Sequence, residues 1–172
     1  MNHTRRYLLA LSVHLNTRGF AFVLFESPLA PFDWGTPEIR GARKHERCLR
    51  KIVAIIDQYE PEGLVLQDMS EEGTRRTQRI VNLNAAIISL AKSRELPIFL
   101  YSREIVRETF FQQHGVTTKQ DIAEIITKSI PAFERYLPSP RKPWQSEDSR
   151  MGLFDAAGLG LVFYQRVNGT PE

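Results

Sequence analysis

The chain has 172 residues, which is long enough for one domain with a sizeable buried core. Hydrophobic residues make up 42% and charged residues 25%, and a formal net charge of only +3 excludes a polycation that binds its partners through charge alone. The single cysteine, Cys48, excludes an internal disulfide and a thiolate zinc site.

Three β-strands are predicted in the first part of the chain. Residues 7–13 are short and apolar, and residues 19–25 read GFAFVLF, with a hairpin turn between the two runs. A third strand is predicted around residues 32–39, where Pro31 and Pro37 mark edges or turns. The apolar run after Arg5 and Arg6 is too short and strand-like for a signal peptide, so we expect a cytoplasmic protein.

Helices and strands alternate in the predicted second part. Apolar residues at helical spacing predict a helix over residues 44–59, ended by Pro61 and Gly63, and another over residues 74–92. Two short apolar runs, residues 63–66 (GLVL) and 97–101 (PIFLY), are predicted as buried strands. Helices over residues 102–111 and 117–128 follow, the second with capping-box spacing. Four prolines in residues 131–143 predict an irregular loop before a last helix.

This order of elements predicts an α/β fold in a single domain, residues 1–172. The first three strands pair antiparallel, the strand–helix–strand units add parallel strands through right-handed crossovers, and helices cover both faces of a mixed five-stranded sheet. No apolar run approaches the about 20 residues that cross a bilayer, so no membrane partner is expected.

Residues 144–161, WQSEDSRMGLFDAAGLGL, place acids around the start of the last helix. Seven residues are close to two helical turns, so Asp148 and Asp155 are predicted on the same helix face. Helix capping accounts for Glu147 and Asp148 well, but not for Asp155. An acid on the packed side of an apolar helix is costly unless a divalent metal or a basic partner neutralises it.

Further polar residues are predicted at the carboxyl ends of strands, where open α/β sheets bind ligands. Ser12 and His14 end the first strand, and Gln67 and Asp68 follow the GLVL run. Hard divalent cations bind carboxylate oxygens, and two-metal phosphoryl chemistry needs several of them close together. These strand ends and the last helix therefore form one candidate site, although Asp68 alone is also typical of a turn or helix cap.

Four blocks of the chain resemble the RuvC-like branch of the RNase H-like superfamily, the Holliday junction resolvases and their bacterial relatives. The blocks cover nearly the whole chain: LALSVHLNTRGFAFV, PEGLVLQDMS, LPIFLYSREIVRETF with GVTTK, and RKPWQSEDSRMGLFDAAGLGL. The resemblance implies the RNase H-like fold and binding of branched or duplex DNA. In an active member it also implies Mg²⁺ or Mn²⁺ as cofactor.

The resemblance also implies which positions would hold the metal. Two of the four expected acids fall on the neutral residues Ser12 and Gln67, and Asp155 matches a third. The remaining acid falls on Gly152, for which Asp148 is the substitute one turn earlier. Loss of two negative charges is expected to weaken divalent binding by several kcal/mol.

Other features implied by the resemblance concern the bound DNA. Two basic residues near the scissile phosphate fall on Arg107 and Lys119, and an aromatic that contacts junction bases falls on Ser70. A four-way junction has two equivalent strands to cut, so the resemblance implies a homodimer.

Two basic clusters are candidates for contact with nucleic acid. One begins the second long helix and is also typical of a solvated helix face: Arg75, Arg76 and Arg79. In the other, Arg141 and Lys142 precede Trp144, which suits phosphate contact with base stacking, or a loop anchored by Trp144 in the core.

The remaining candidate residues are expected to be structural. No metal-type spacing relates the histidines, which are expected on the surface or in loops: His14, His45 and His114. Cys48 falls on the buried stripe of its helix and is expected to be inert.

Three functions are consistent with these patterns. The first is a RuvC-like DNA-binding protein whose nuclease activity is weakened or lost because of Ser12 and Gln67, with no cofactor required. The second is an active Mg²⁺- or Mn²⁺-dependent endodeoxyribonuclease that uses Asp68, Asp148 and Asp155. The third is a non-catalytic dimeric scaffold.

Overall fold

A mixed five-stranded sheet forms the centre of the structure, a computed structural model that describes residues 9–70 and 77–168. The strand order is β3-β2-β1-β4-β5, with β2 antiparallel to β1 and β3, and β4 parallel to β1 and β5. The strands are β1 Ala10–Asn16, β2 Gly19–Ser27, β3 Ala30–Gly35, β4 Gly63–Gln67 and β5 Ile98–Tyr101. The predicted mixed sheet is confirmed.

Five helices cover the two faces of this sheet. They are α1 Lys44–Tyr59, α2 Gln78–Ser93, α3 Arg103–His114, α4 Lys119–Ser129 and α5 Met151–Asn168. Hydroxyl side chains of Thr77, Ser102 and Thr118 cap α2, α3 and α4 by accepting a backbone N–H of the first turn. Within the described ranges, no helix combines the length and apolar character needed to cross a membrane.

The alternation of side chains along β1 separates two hydrophobic cores. Leu11, Val13 and Leu15 face α1 and α2 and are almost fully buried. Ala10 faces the opposite core, which contains residues of α3, α4 and α5. Ser12 and His14 follow Ala10 at intervals of two residues and therefore face the same core. They are the polar residues of that face, and both are buried.

Some element boundaries differ from those predicted. Strand β3 ends at Gly35 rather than near residue 39, because beyond Gly35 the chain pairs with the start of β2 through an isolated bridge, between Glu38 and Gly19. The segment predicted as irregular contains a 3₁₀ helix, Pro131–Tyr136, which the fully buried Phe133 anchors to the core. The predicted start of α2 at residue 74 lies outside the described residues.

Helix α5 lies unusually close to strand β2. A Cβ atom added at Gly160 would lie 2.4 Å from the ring of the fully buried Phe25. The hydroxyl of Tyr164 donates to the backbone oxygen of Phe25 at 3.0 Å, and burial raises the pKa of Tyr164 to about 12. This contact fixes α5, and with it Asp155, against the sheet.

Candidate functional site

Asp155 lies near the start of α5, beside the carboxyl end of β1. The fully buried hydroxyl of Ser12 donates a hydrogen bond to the backbone oxygen of Ala156, which holds α5 on β1 next to Asp155. Ser12 is therefore a packing residue between the sheet and the helix. The Asp155 side chain remains 18% exposed and opens into a cleft.

His14 contacts Asp155 from the sheet. It follows Ser12 by two residues and faces the same side of β1. Its Nε2 atom lies 3.4 Å from Oδ2 of Asp155, and only 7% of its side chain is exposed. The expectation of a surface or loop position for His14 was wrong, because the alternation of β1 continues through this residue.

Lys119 contacts Asp155 from the start of helix α4. As the first residue of α4, it donates to Oε1 of Glu147 at 2.8 Å and to Oδ2 of Asp155 at 3.4 Å. The neutralising partner of Asp155 is therefore basic. Of the two options that the sequence left open for this acid, a metal or a basic group, the described residues supply the basic group.

The cleft at Asp155 carries more positive than negative side chains. Its polar lining consists of His14, Gln67, Arg103, Arg107, Lys119 and Asp155. Helix α3 begins at Arg103 and α4 begins at Lys119, so the positive ends of two helix dipoles lie near the cleft. The arrangement is suited to an anion such as a phosphate.

The four positions at which the resemblance implies metal ligands do lie near one another. Ser12 contacts the residue after Asp155, Gln67 lines the same cleft as Asp155, and Gly152 lines the adjoining one. Gln67 is 5% exposed at the end of β4, where its backbone oxygen accepts a hydrogen bond from Asn84 at 3.3 Å. Three of these four positions carry no charge.

Asp148 lines the adjoining cleft together with Asp155, but its carboxylate is paired with Arg150. It precedes α5, which begins at Met151, so the predicted shared helix face of Asp148 and Asp155 was wrong. Its Oδ1 atom accepts from the backbone N–H of Arg150 at 2.9 Å, and its Oδ2 atom accepts from the guanidinium at 2.7 Å. These bonds lower the pKa of Asp148 to about 2.

Asp68, in contrast, lies apart from Asp155. Its Oδ1 atom accepts from the backbone N–H and the hydroxyl of Ser70, at 2.9 and 2.6 Å, and closes a turn after β4. Asp68 lines neither of the clefts that contain Asp155. In residues 9–70 and 77–168, no three His, Cys, Asp or Glu side chains lie close enough to share a metal ion. The described residues therefore do not fit the implied divalent site.

The basic cluster at the start of α2 is described only in part. Arg75 and Arg76 lie outside the described residues. Arg79 lies near Cys48 of α1, where its positive charge opposes the rise in the pKa of the Cys48 thiol caused by burial. Cys48 is buried, as predicted. Arg79 thus packs on the sheet face opposite the cleft.

The segment before α5 presents Trp144 to solvent. The indole is 77% exposed, so it does not anchor the loop in the core. The turn is held by the Gln145 N–H, which donates to the Lys142 oxygen at 3.0 Å, and by Arg141, which donates to the Gln145 oxygen at 3.1 Å. Lys142 Nζ lies 5.3 Å from the centre of the indole. Two cations and an aromatic face therefore share one ordered turn.

Comparisons with solved structures identify proteins of the same fold. RuvC of Thermus thermophilus in complex with a Holliday junction substrate superposes with a TM-score of 0.66 at 11% identity, over 96% of this chain and 99% of that chain. A second Thermus thermophilus RuvC structure gives 0.64 at 12% identity, over 94% and 97%. The yeast mitochondrial Holliday junction resolvase Ydc2 gives 0.60 at 12% identity, over 94% and 80%.

No protein-family model matches the chain, and a search of curated proteins finds no match. The expected RuvC-type, RNase H-like fold is confirmed.

Proposed function

We propose that this chain, which has the fold of the RuvC resolvases, binds DNA through the cleft at Asp155 and that its nuclease activity is weakened or lost. One observation carries the proposal. The cleft has basic side chains at Arg103, Arg107 and Lys119, but Asp155 is the acid that lines it.

Hydrolysis of a phosphodiester by divalent metals requires several carboxylates around the reacting phosphate. In this chain Ser12 is bonded to the α5 backbone, Gln67 is a neutral amide, and Asp148 is paired with Arg150. Of the carboxylates that would bind a metal and so activate a nucleophile, Asp155 alone is therefore left among these four residues. The groups that hold a phosphate, Arg107 and Lys119, are retained.

Branched DNA is the partner that the similar structures favour, since one was solved with a Holliday junction and another is a Holliday junction resolvase. The Trp144 turn supports the same partner. Arg141 and Lys142 can contact backbone phosphates while the exposed indole stacks on a base that has left its own stack. Such bases occur at junctions and not within an uninterrupted duplex.

A cleavage assay tests the loss of activity. Labelled four-way, three-way and linear DNA are incubated with the wild-type chain in Mg²⁺ and in Mn²⁺, beside Asp155→Asn. We expect binding to the branched substrates and no multiple-turnover cutting above that of the Asp155→Asn variant. Multiple-turnover, metal-dependent cutting that Asp155→Asn abolishes contradicts the proposal and supports the alternative of an active endonuclease.

We further propose that the protein acts as a homodimer, because two copies of the cleft match the two equivalent strands of a four-way junction. The proposed location is the cytoplasm. Sedimentation of the chain with and without junction DNA tests the dimer. A mass of one chain per junction in the complex contradicts it.

A further inference from the structure

The cation beside Asp155 is part of the protein. Lys119 Nζ and His14 Nε2 both lie 3.4 Å from the same carboxylate oxygen, Oδ2. Divalent ions bind carboxylate oxygens at about 2.0 to 2.6 Å, so an ion at this oxygen competes with both side chains and is repelled by the Lys119 ammonium. Lys119 is also held by Glu147 at 2.8 Å, which adds to the cost of its displacement.

The neighbouring positions offer a divalent ion little in return. The Ser12 hydroxyl is committed to the Ala156 backbone oxygen, and Gln67 can supply only a neutral carbonyl. Gly152, at the position of a fourth ligand, has no side chain and is buried against Asn16 and Ala21. A single carboxylate that already has a cationic partner is a poor site for Mg²⁺.

The rest of the cleft is suited to the opposite kind of ligand. Arg103 and Arg107 lie one turn apart on α3 and line the cleft with Lys119. Arginine forks bind phosphate oxygens in a bidentate manner, and lysine contributes a point charge. Three basic groups against the carboxylates of Asp155 and Glu147 leave a surplus of positive charge for a bound anion.

We infer that the cleft binds a DNA backbone phosphate directly, without a divalent ion. Arg103, Arg107 and Lys119 donate to the phosphate oxygens. The resemblance to RuvC-like proteins implies a metal ion as the positive charge at Asp155, and here Lys119 supplies that charge. This inference rests on the proposed DNA-binding function and specifies how the cleft performs it.

Binding of a fluorescent four-way junction, measured by anisotropy in EDTA and in Mg²⁺ at equal ionic strength, tests the inference. We expect the dissociation constant in EDTA to be no larger than in Mg²⁺, because no ion bridges the protein and the phosphate and Mg²⁺ competes with the basic side chains as a counterion of the DNA. Asp155→Asn is expected to tighten binding a few-fold in both buffers, since it removes the negative charge from the cleft.

Variants of the basic residues test the direct contacts. We expect Lys119→Gln and Arg107→Gln each to weaken binding by about tenfold, as for loss of one charge-assisted hydrogen bond. Lys128→Gln, on the same helix as Lys119 but exposed in its last turn, and Arg50→Gln, exposed on α1, are the matched controls. Thermal unfolding of each variant verifies that it is folded.

Two results overturn the inference while leaving DNA binding intact. One is binding that requires Mg²⁺ and is abolished by Asp155→Asn. The other is EDTA-insensitive binding in which Lys119→Gln and Arg107→Gln behave like Lys128→Gln and Arg50→Gln.

Absence of junction binding in both buffers overturns the proposed function instead. The cleft is then tested with inorganic pyrophosphate in EDTA. A rise in the unfolding midpoint that Lys119→Gln removes supports a metal-free phosphate site, and no rise overturns it.

Discussion

Ser12 has a role in this chain that a carboxylate could not perform. Its hydroxyl donates to the Ala156 backbone oxygen inside a fully buried contact. An ionised carboxylate has no proton to donate, and at this position its charge would face a carbonyl oxygen. The close packing of α5 on β1 therefore depends on a neutral hydrogen-bond donor at position 12.

This role gives a stability prediction. Ser12→Asp is expected to lower the free energy of unfolding by about 3 to 5 kcal/mol, as for an uncompensated buried charge, and Ser12→Ala by about 1 kcal/mol. Denaturant unfolding near neutral pH measures both. Equal stability of the two variants would show that a cation neutralises the new carboxylate. That result would contradict the account given above, in which the nearby cation, Lys119, is already paired with Asp155.

The pairing of Asp148 with Arg150 predicts a pH effect. Hydrogen bonds from the Arg150 side chain lower the pKa of Asp148 from 3.8 to about 2. Because the folded pKa lies below the unfolded one, the stabilisation is present above pH 3.8 and is lost as the pH falls through about 2. The carboxylate is 35% exposed, so solvent screening keeps the effect small.

Thermal unfolding across that pH range checks this prediction. Asp148→Asn should flatten the decline of the unfolding midpoint between pH 3.8 and about 2. Arg150→Gln should do the same, because it removes the partner and not the acid. Curves of both variants that run parallel to the wild type would contradict the pairing.

At the scale of elements, helix α5 carries Asp155 to the sheet, and its distance from β2 depends on a glycine. A methyl group at Gly160 meets the Phe25 ring at 2.4 Å, whereas at Gly158 its nearest neighbour is Val106 at 3.6 Å, an ordinary contact. The two glycines thus differ in the space that surrounds them, although they lie two residues apart on one helix.

Alanine substitution at the two glycines separates close packing from helix propensity. Gly160→Ala is expected to lower the free energy of unfolding by about 1 to 3 kcal/mol through overpacking. Gly158→Ala should raise it by about 0.5 to 1 kcal/mol, because alanine favours the helix. Denaturant unfolding of the pair is the measurement, and stabilisation by both substitutions would contradict the close contact.

The turn that bears Trp144 predicts selectivity among DNA structures. Trp144→Ala is expected to weaken junction binding by about tenfold, the loss of one stacked base, with less effect on uninterrupted duplex. Phe32→Ala, which removes an exposed aromatic that packs on Tyr59 of α1, is the control. An equal loss for junction and duplex would contradict the stacking role.

At the scale of the whole molecule, local patterns were sufficient to predict the sheet. The alternation and spacing of apolar runs gave the antiparallel hairpin and the two parallel crossovers, because these depend on residues close in sequence. The placement of Asp148 is different. Helical spacing predicts Asp148 on the face of Asp155, but the Asp148 carboxylate accepts from the Arg150 N–H and the helix begins only at Met151.

The chemistry at Asp155 depends on contacts that local patterns do not contain. His14 and Lys119 are 141 and 36 residues away from Asp155 in the chain, and the packing of α5 on β1 and of α4 on α5 brings them together. Strand alternation after Ser12 was the one signal in the sequence that placed His14 inward. The resemblance implied positions around Asp155, but could not show that His14 and Lys119 contact its carboxylate.

The salt dependence of junction binding in EDTA tests the central claim most directly. With five basic side chains proposed at phosphates, we expect measurable binding that weakens by about 500-fold when the salt concentration rises fourfold. The residues concerned are Arg103, Arg107, Lys119, Arg141 and Lys142. Absence of salt-sensitive binding to any DNA would contradict the account and favour a scaffold that keeps the fold for protein contacts alone.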